Sequence, residues 1–202
     1  MKKFFFTISL LAGLINAAQA QRSNVSLGLK AGASLTNFVG ADASGFKDVY
    51  GFHGGVFANI GFTDMFAFQP ELLYSQKGAK SQILAGGYST QRLHYVDLPL
   101  AFHVNADGLF FEAGPQVGFL VAARDNNSNS STTIDRNNFN TVDAGYLAGL
   151  GYQRKTGLGA GLRYNGEFTN YRQAVTVGNT TFQTRSRNSA FQLYLTYSFG
   201  GR

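Results

Sequence analysis

Residues 25–38 read VSLGLKAGASLTNF. Val25, Leu27, Leu29, Ala31, Ala33 and Leu35 alternate with Ser26, Gly28, Lys30, Gly32, Ser34 and Thr36, a period of two that predicts a strand with two unlike faces. The alternation returns about eight times along the chain. YGFHGGVFANIGF places Tyr50, Phe52, Val56, Ala58, Ile60 and Phe62 on one face, and FAFQPELLYSQK places Phe66, Phe68, Leu72 and Tyr74 there. LHYVDLPLAFHV carries Val96, Leu98, Leu100, Phe102 and Val104; LFFEAGPQVGFLV carries Leu109, Phe111, Ala113, Val117, Phe119 and Val121. VDAGYLAGLGY, LGAGLRYNGEF and SAFQLYLTYSF complete the set, the last with Phe191, Leu193, Leu195, Tyr197 and Phe199 in phase.

Each segment runs about 11–14 residues, long for an ordinary strand but right for a tilted bilayer crossing. Tight turns at Thr63–Met65, Asn105–Gly108 and Arg154–Gly157 alternate with long polar stretches near 39–49, 78–90, 122–141 and 169–188. Short, long, short, long is the connection pattern of an up-and-down barrel with one plain and one decorated end. Volume decides which face is inside. Eight apolar faces amount to roughly 40 sizeable side chains, and an eight-stranded barrel has an interior that far fewer would fill. The apolar face therefore points outward into lipid, and the small and polar face lines the lumen. A lipocalin-like barrel or a two-sheet sandwich would need the opposite polarity. Tyr50, Phe62, Phe66, Tyr74, Tyr152, Tyr164, Phe168, Tyr197 and Phe199 fall near strand ends on the lipid face, as interfacial girdles do. The predicted fold is all-β: a transmembrane, up-and-down antiparallel β-barrel of about eight strands.

The ends add the compartment. Lys2 and Lys3 precede an apolar run from Phe4 to Ile15, and Ala18-Gln19-Ala20 offers a small-x-small cleavage site. Residues 1–20 read as a secretory signal peptide and 21–202 as the barrel domain. The expected location is the outer membrane of a Gram-negative cell, with the N-terminus and short turns periplasmic and four long loops outside. Cysteine is absent, so disulfides play no part. The formal charge of +6 falls to +4 once Lys2 and Lys3 leave, and the basic residues are scattered, which argues against nucleic-acid binding.

LGLKAGAS, FQPELLYSQKGAK, YVDLPLAFHV, FFEAGPQVGFL, and AGYLAGLGYQ followed by GLRYNGEFTN resemble the PorT-like outer-membrane β-barrel family of the Bacteroidota. The resemblance spans the chain after the signal peptide and implies a small eight-stranded barrel, with a secretion complex as one partner. The terminal QLYLTYSFGGR is similar to the signal read by the barrel-assembly machinery: Gln192, Tyr197 and Phe199 fit, while Tyr194 replaces the usual Gly and Gly200-Gly201-Arg202 extends past the final aromatic. Expected partners are thus outer-membrane lipids, the assembly machinery and secretion-complex proteins, and the barrel is expected to be a monomer.

Candidate chemistry is sparse. Strand parity points Lys30, Glu71, Asp97, Glu112, Arg163 and Glu167 into the lumen, all but Glu167 at similar heights. Buried charges need partners, so the expectation is a structural ion-pair network that plugs the barrel rather than an acid–base site. His53, His94 and His103 lie on separate segments and none forms the His-x-Ser pair of lipid-modifying barrels. GLGAGLRYNG follows a hairpin turn and opens no helix, so it is no phosphate loop. Asp125, Asn127 and Asn129 mimic the start of a calcium loop, but Ser130 and Arg136 replace its Gly and Glu. No catalytic residue, cofactor or metal site is assigned. The function expected is non-enzymatic, exercised through the loops in adhesion, envelope integrity or as a secretion accessory. A lipid-modifying or hydrolytic barrel and a narrow pore for small solutes are the alternatives.

Overall fold

The computed structural model describes residues 25–82, 87–127, 130–134, 138–178 and 180–199. Residues 1–20, expected to be a signal peptide, and Gly200-Gly201-Arg202 lie outside them. The described residues form twelve strands: β1 (Val25–Val39), β2 (Phe46–Lys47), β3 (Val49–Gly61), β4 (Phe66–Gln82), β5 (Tyr88–Ala106), β6 (Leu109–Asn127), β7 (Ser130–Thr133), β8 (Val142–Gln153), β9 (Leu158–Glu167), β10 (Val175–Val177), β11 (Thr180–Phe182) and β12 (Arg187–Ser198). Eight of them make a closed antiparallel ring, β1-β3-β4-β5-β6-β8-β9-β12. The seam pairs β1 with β12 from Gly28↔Ser198 to Val39↔Arg187, and the Phe199 amide donates to the Leu27 carbonyl at 2.8 Å. Closure leaves no open edge, which is what lets a sheet cross a bilayer.

The two faces divide as the alternation predicts. Leu29, Phe52, Leu72, Leu98, Phe111, Leu150, Leu162 and Leu195 are exposed on the outside, whereas Lys30, Glu71, Asp97, Glu112 and Arg163 are buried inside. Aromatic residues sit at both rims of this band, with Phe62, Phe66, Tyr152, Tyr197 and Phe199 at the end with short turns and Tyr50, Tyr74 and Phe168 at the other; Tyr50 is 80% exposed. Among the described residues no helix is long and apolar enough to span a membrane; the crossing is made by strands.

The connections differ from expectation at both ends. Asn105 and Ala106 remain in β5, and the turn is Asp107-Gly108 alone, with φ of +48° and +88°. Positive φ at both central residues is the type I′ geometry that suits hairpin twist, and Asp-Gly is a favoured pair for it. At the decorated end the stretch 78–90 is mostly strand, because β4 runs on to Gln82 and β5 starts at Tyr88; β6 likewise continues to Asn127 and takes β7 as a partner. Above the bilayer both faces of a hairpin can meet water, so the apolar alternation stops while the hydrogen-bond ladder goes on.

The assignment of faces predicts a depth-dependent cost. Leu98, midway along β5 and outward-facing, should lose about 2–4 kcal/mol on Leu98→Arg, while Leu158→Arg at the short-turn rim should lose about 1 kcal/mol or less. Urea unfolding in phospholipid vesicles measures both, and equal losses would undo the assignment.

Candidate functional site

Inward-facing positions on successive strands stack in layers, three of which lie above Asn59, Gln69 and Phe110 at the short-turn end. The first, nearest the short turns, is a four-charge cluster. Arg163 on β9 donates from Nε to Glu112 Oε1 at 2.8 Å, and from Nη1 and Nη2 to Glu71 Oε2 and Oε1 at 2.9 and 2.8 Å. A further bond joins Arg163 Nη2 to Glu112 Oε2 at 2.5 Å, so one guanidinium holds carboxylates from β4 and β6 together. Lys30 on β1 donates to Glu71 Oε1 at 2.8 Å, and its ammonium lies 3.8 Å from the centre of the Tyr194 ring. Tyr194 on β12 donates its hydroxyl to Glu112 Oε1 at 2.8 Å. Two cations meet two carboxylates, and every charged side chain here is fully buried. Planar, bidentate pairing is what makes arginine suited to such a site. Gly161 makes room for it, since a Cβ there would strike the Tyr194 ring.

The second layer lies above. Lys77 on β4 donates to Asp97 Oδ1 at 3.2 Å and to Glu167 Oε1 at 2.8 Å. Gln116 donates to Glu167 Oε1 at 2.6 Å, and Asn188 donates to Asp143 Oδ2 at 2.9 Å and to the Tyr95 hydroxyl at 3.3 Å. Asp97 therefore does not join Lys30, Glu71, Glu112 and Arg163, although the count along the strands sets it level with them. It pairs instead with Lys77, which lies on the adjacent strand β4 four residues beyond Leu73, the residue opposite Asp97 in the ladder. Lys77 and Asp143 went unnamed in the sequence reading. The parity that marks Glu71 also carries Lys77 inward, and Asp143 is likewise in phase with the inner face of its strand.

The third layer is apolar. Phe38, Ala79, Leu93, Tyr95, Leu120, Ala123, Phe139 and Tyr171 form a buried cluster, with Ala43, Phe46 and Ile134 packed against it. Phe38 stacks on Tyr171 at 4.1 Å between ring centroids and meets Phe46 edge-on at 5.0 Å. Phe46, Phe139 and Tyr171 come from three different loops, which are also joined through the backbone: Asn140 donates to the Tyr171 carbonyl at 3.0 Å between the third and fourth, and Asp42 to the Arg185 carbonyl at 3.4 Å between the first and fourth. Burial pushes the Tyr171 phenol above its ordinary pKa. Alternation could not reveal this lid, because its loop residues belong to no periodic segment.

The histidines stay apart. His53 Nδ1 is 2.9 Å from Ser34 Oγ, His94 Nδ1 is 2.6 Å from the Tyr74 hydroxyl, and His103 Nε2 is 3.3 Å from Glu112 Oε2. Ser34 and His53 make a serine–histidine pair that spacing could not find. Both are buried in the lumen and His53 Nε2 has no hydrogen-bond partner, so the pair lacks the orienting carboxylate of a hydrolytic triad. Among the described residues no three of His, Cys, Asp and Glu converge as a metal-ligand set. Of the calcium-loop mimic, Asp125 accepts from Ser89, while Asn129 and Arg136 lie outside the described residues.

Arg163→Met should cost about 3–5 kcal/mol, because two buried carboxylates, Glu71 and Glu112, would lose the guanidinium that holds them both. Arg163→Lys should fall between the two, keeping charge but losing the fork. Urea titration of the folded barrel is the measurement, and a loss of under about 1 kcal/mol for Arg163→Met would show that the cluster does not hold the strands together.

The family model described as outer membrane protein beta-barrel domain matches residues 17–171. Comparison with curated protein sequences finds no match. Among solved structures the chain is similar to Neisserial surface protein A (NspA), with 16% identity over 87% of this chain and 99% of that one and a TM-score of 0.52. It is also similar to Ail, the attachment invasion locus protein of Yersinia pestis, at 13% identity, 86% and 98% coverage and a TM-score of 0.45. For the N-terminal barrel domain of Pseudomonas aeruginosa OprF the values are 18% identity, 89% and 100% coverage and 0.37. The likeness to NspA supports the fold.

Proposed function

Because this chain belongs to the outer membrane protein beta-barrel domain family and resides in the outer membrane, we propose that it works without catalysis, as a plugged barrel whose loops make the functional contacts outside the cell. One observation carries the reading: the lumen is filled by two polar layers and roofed by an apolar one, so the part left free to engage anything is the decorated rim. That rim is built rather than bare. It holds an open cleft of about 590 Å³ lined by Gln91, Thr132, Asn138, Arg172 and Phe182, and Phe182 is 62% exposed. Adhesion, envelope integrity and service to a secretion complex all use such a rim, and the PorT-like resemblance favours the last. In this reading residues 1–20 direct export, the short turns face the periplasm and the barrel acts as a monomer. The isolated Ser34–His53 pair gives a lipid-modifying or hydrolytic reading little to stand on.

The direct test removes the β10–β11 hairpin, residues 175–182, from the cell-borne protein. The barrel should still assemble and keep its heat-modifiable gel mobility, while surface attachment or secretion falls several-fold. Full activity of the shortened protein would end the loop reading. Orientation is tested by trypsin on whole cells. Cleavage is expected after the exposed Arg172 and Arg185, with Arg154 and Lys155 spared. The reverse pattern would turn the barrel over.

The closed lumen also predicts an electrical result. Purified protein in planar bilayers should give no steady conductance, because ion pairs and the Phe38–Tyr171 stack leave no continuous water column. A large, stable, ion-selective current would establish a pore instead.

A further inference from the structure

The two polar layers differ in charge balance. The lower one is neutral. The upper one sets a single cation, Lys77, against three carboxylates, Asp97, Glu167 and Asp143, each at most 4% exposed. A second observation is independent of charge: five buried oxygens have no hydrogen-bond partner, Asp143 Oδ1, Glu167 Oε2, Gln116 Oε1 and Asn188 Oδ1 in this layer and Asn165 Oδ1 one inward position below Glu167 on β9. All five side chains are more than nine-tenths buried, and all five atoms accept rather than donate. Gln116 and Asn188 spend their amide hydrogens on Glu167 and Asp143, which directs both amide groups toward the same carboxylates.

We propose that the upper lumen is a binding site for a calcium-class divalent cation, held by Asp143 and Glu167 with amide oxygens from Gln116, Asn165 and Asn188. This goes beyond the loop reading and does not depend on it. A surplus of two carboxylates calls for two positive charges, since uncompensated charge away from water is costly. Carboxylate and amide oxygens are hard donors, and a set mixing two side-chain types on four strands suits the irregular, six- to eight-fold shell of calcium. Magnesium demands a regular octahedron and keeps its waters, so it should compete poorly. Lys77 does not fill the role, because it is already committed to one oxygen each of Asp97 and Glu167. The apolar lid above the layer separates it from the outside, so the ion is taken up as the barrel folds.

The full chain is refolded from urea into detergent micelles with terbium as the calcium probe. Tryptophan is absent, so sensitised emission must come from tyrosine, and the Tyr95 hydroxyl is bonded to Asn188 at the site. Expected is a saturable signal, displaced by calcium at concentrations at least ten-fold below those needed for magnesium. Asp143→Asn should weaken the binding ten-fold or more, and Tyr95→Phe should cut the emission at saturating terbium. No saturable signal, or one unchanged in Asp143→Asn, overturns the site. A readout without variants guards against misfolding: calcium should raise the urea midpoint of the unmodified protein relative to chelator. No shift would mean that protons and water serve the five oxygens, and would equally overturn the proposal.

Discussion

A chain that crosses lipid must satisfy every backbone N–H and C=O within itself, since hydrocarbon offers none a partner. Everything else in this molecule follows from meeting that demand with strands. A sheet meets it only when closed, so β1 must find β12 across nearly the whole sequence. Closure by eight strands then fixes a narrow interior. The interior in turn dictates which residues can face it: small ones, or long polar ones that interlock.

The lumen shows how that limit is turned to use. Buried ion pairs contribute little net stability against an apolar alternative, yet removing one partner is severe. The Arg163 guanidinium spans Glu71 and Glu112, and Lys30 and Tyr194 tie in two further strands. Such a cluster makes sense as a device for register, because a one-residue slip would turn every charge out into lipid. An apolar filling would tolerate that slip more easily. The charges thus specify which barrel forms more than how stable it is.

Much of this was legible in the sequence, and the exceptions have physical reasons. The period of two exposed the eight crossings and both faces, because lipid outside and a tight lumen inside leave each position little choice. The same parity carried Lys30, Glu71, Glu112 and Arg163 to one interior. Heights were read less well: Asp97 was set level with them by counting, whereas the long Lys77 side chain, four residues beyond the β4 residue opposite Asp97, takes it into the next layer. The extension of β4 and β5 beyond the membrane was hidden, since pairing in water needs no alternation. The lid was hidden most fully. Phe46, Phe139 and Tyr171 look like stray aromatics in polar loops until three loops are brought over one opening.

That lid changes what the outer loops are. Were they independent tethers, each could drift in length and composition without regard to the others. Instead the roots of the first, third and fourth loops share one small core, and the third and fourth are laced together by backbone bonds through Tyr171. Variation is therefore channelled to the tips, with the roots held as a common foundation. The molecule is organised like a pedestal with a fixed capital, on which short surface-facing hairpins can be exchanged one at a time. Evolution, or an engineer displaying foreign peptides, could rewrite the β10–β11 tip without reopening the barrel beneath it.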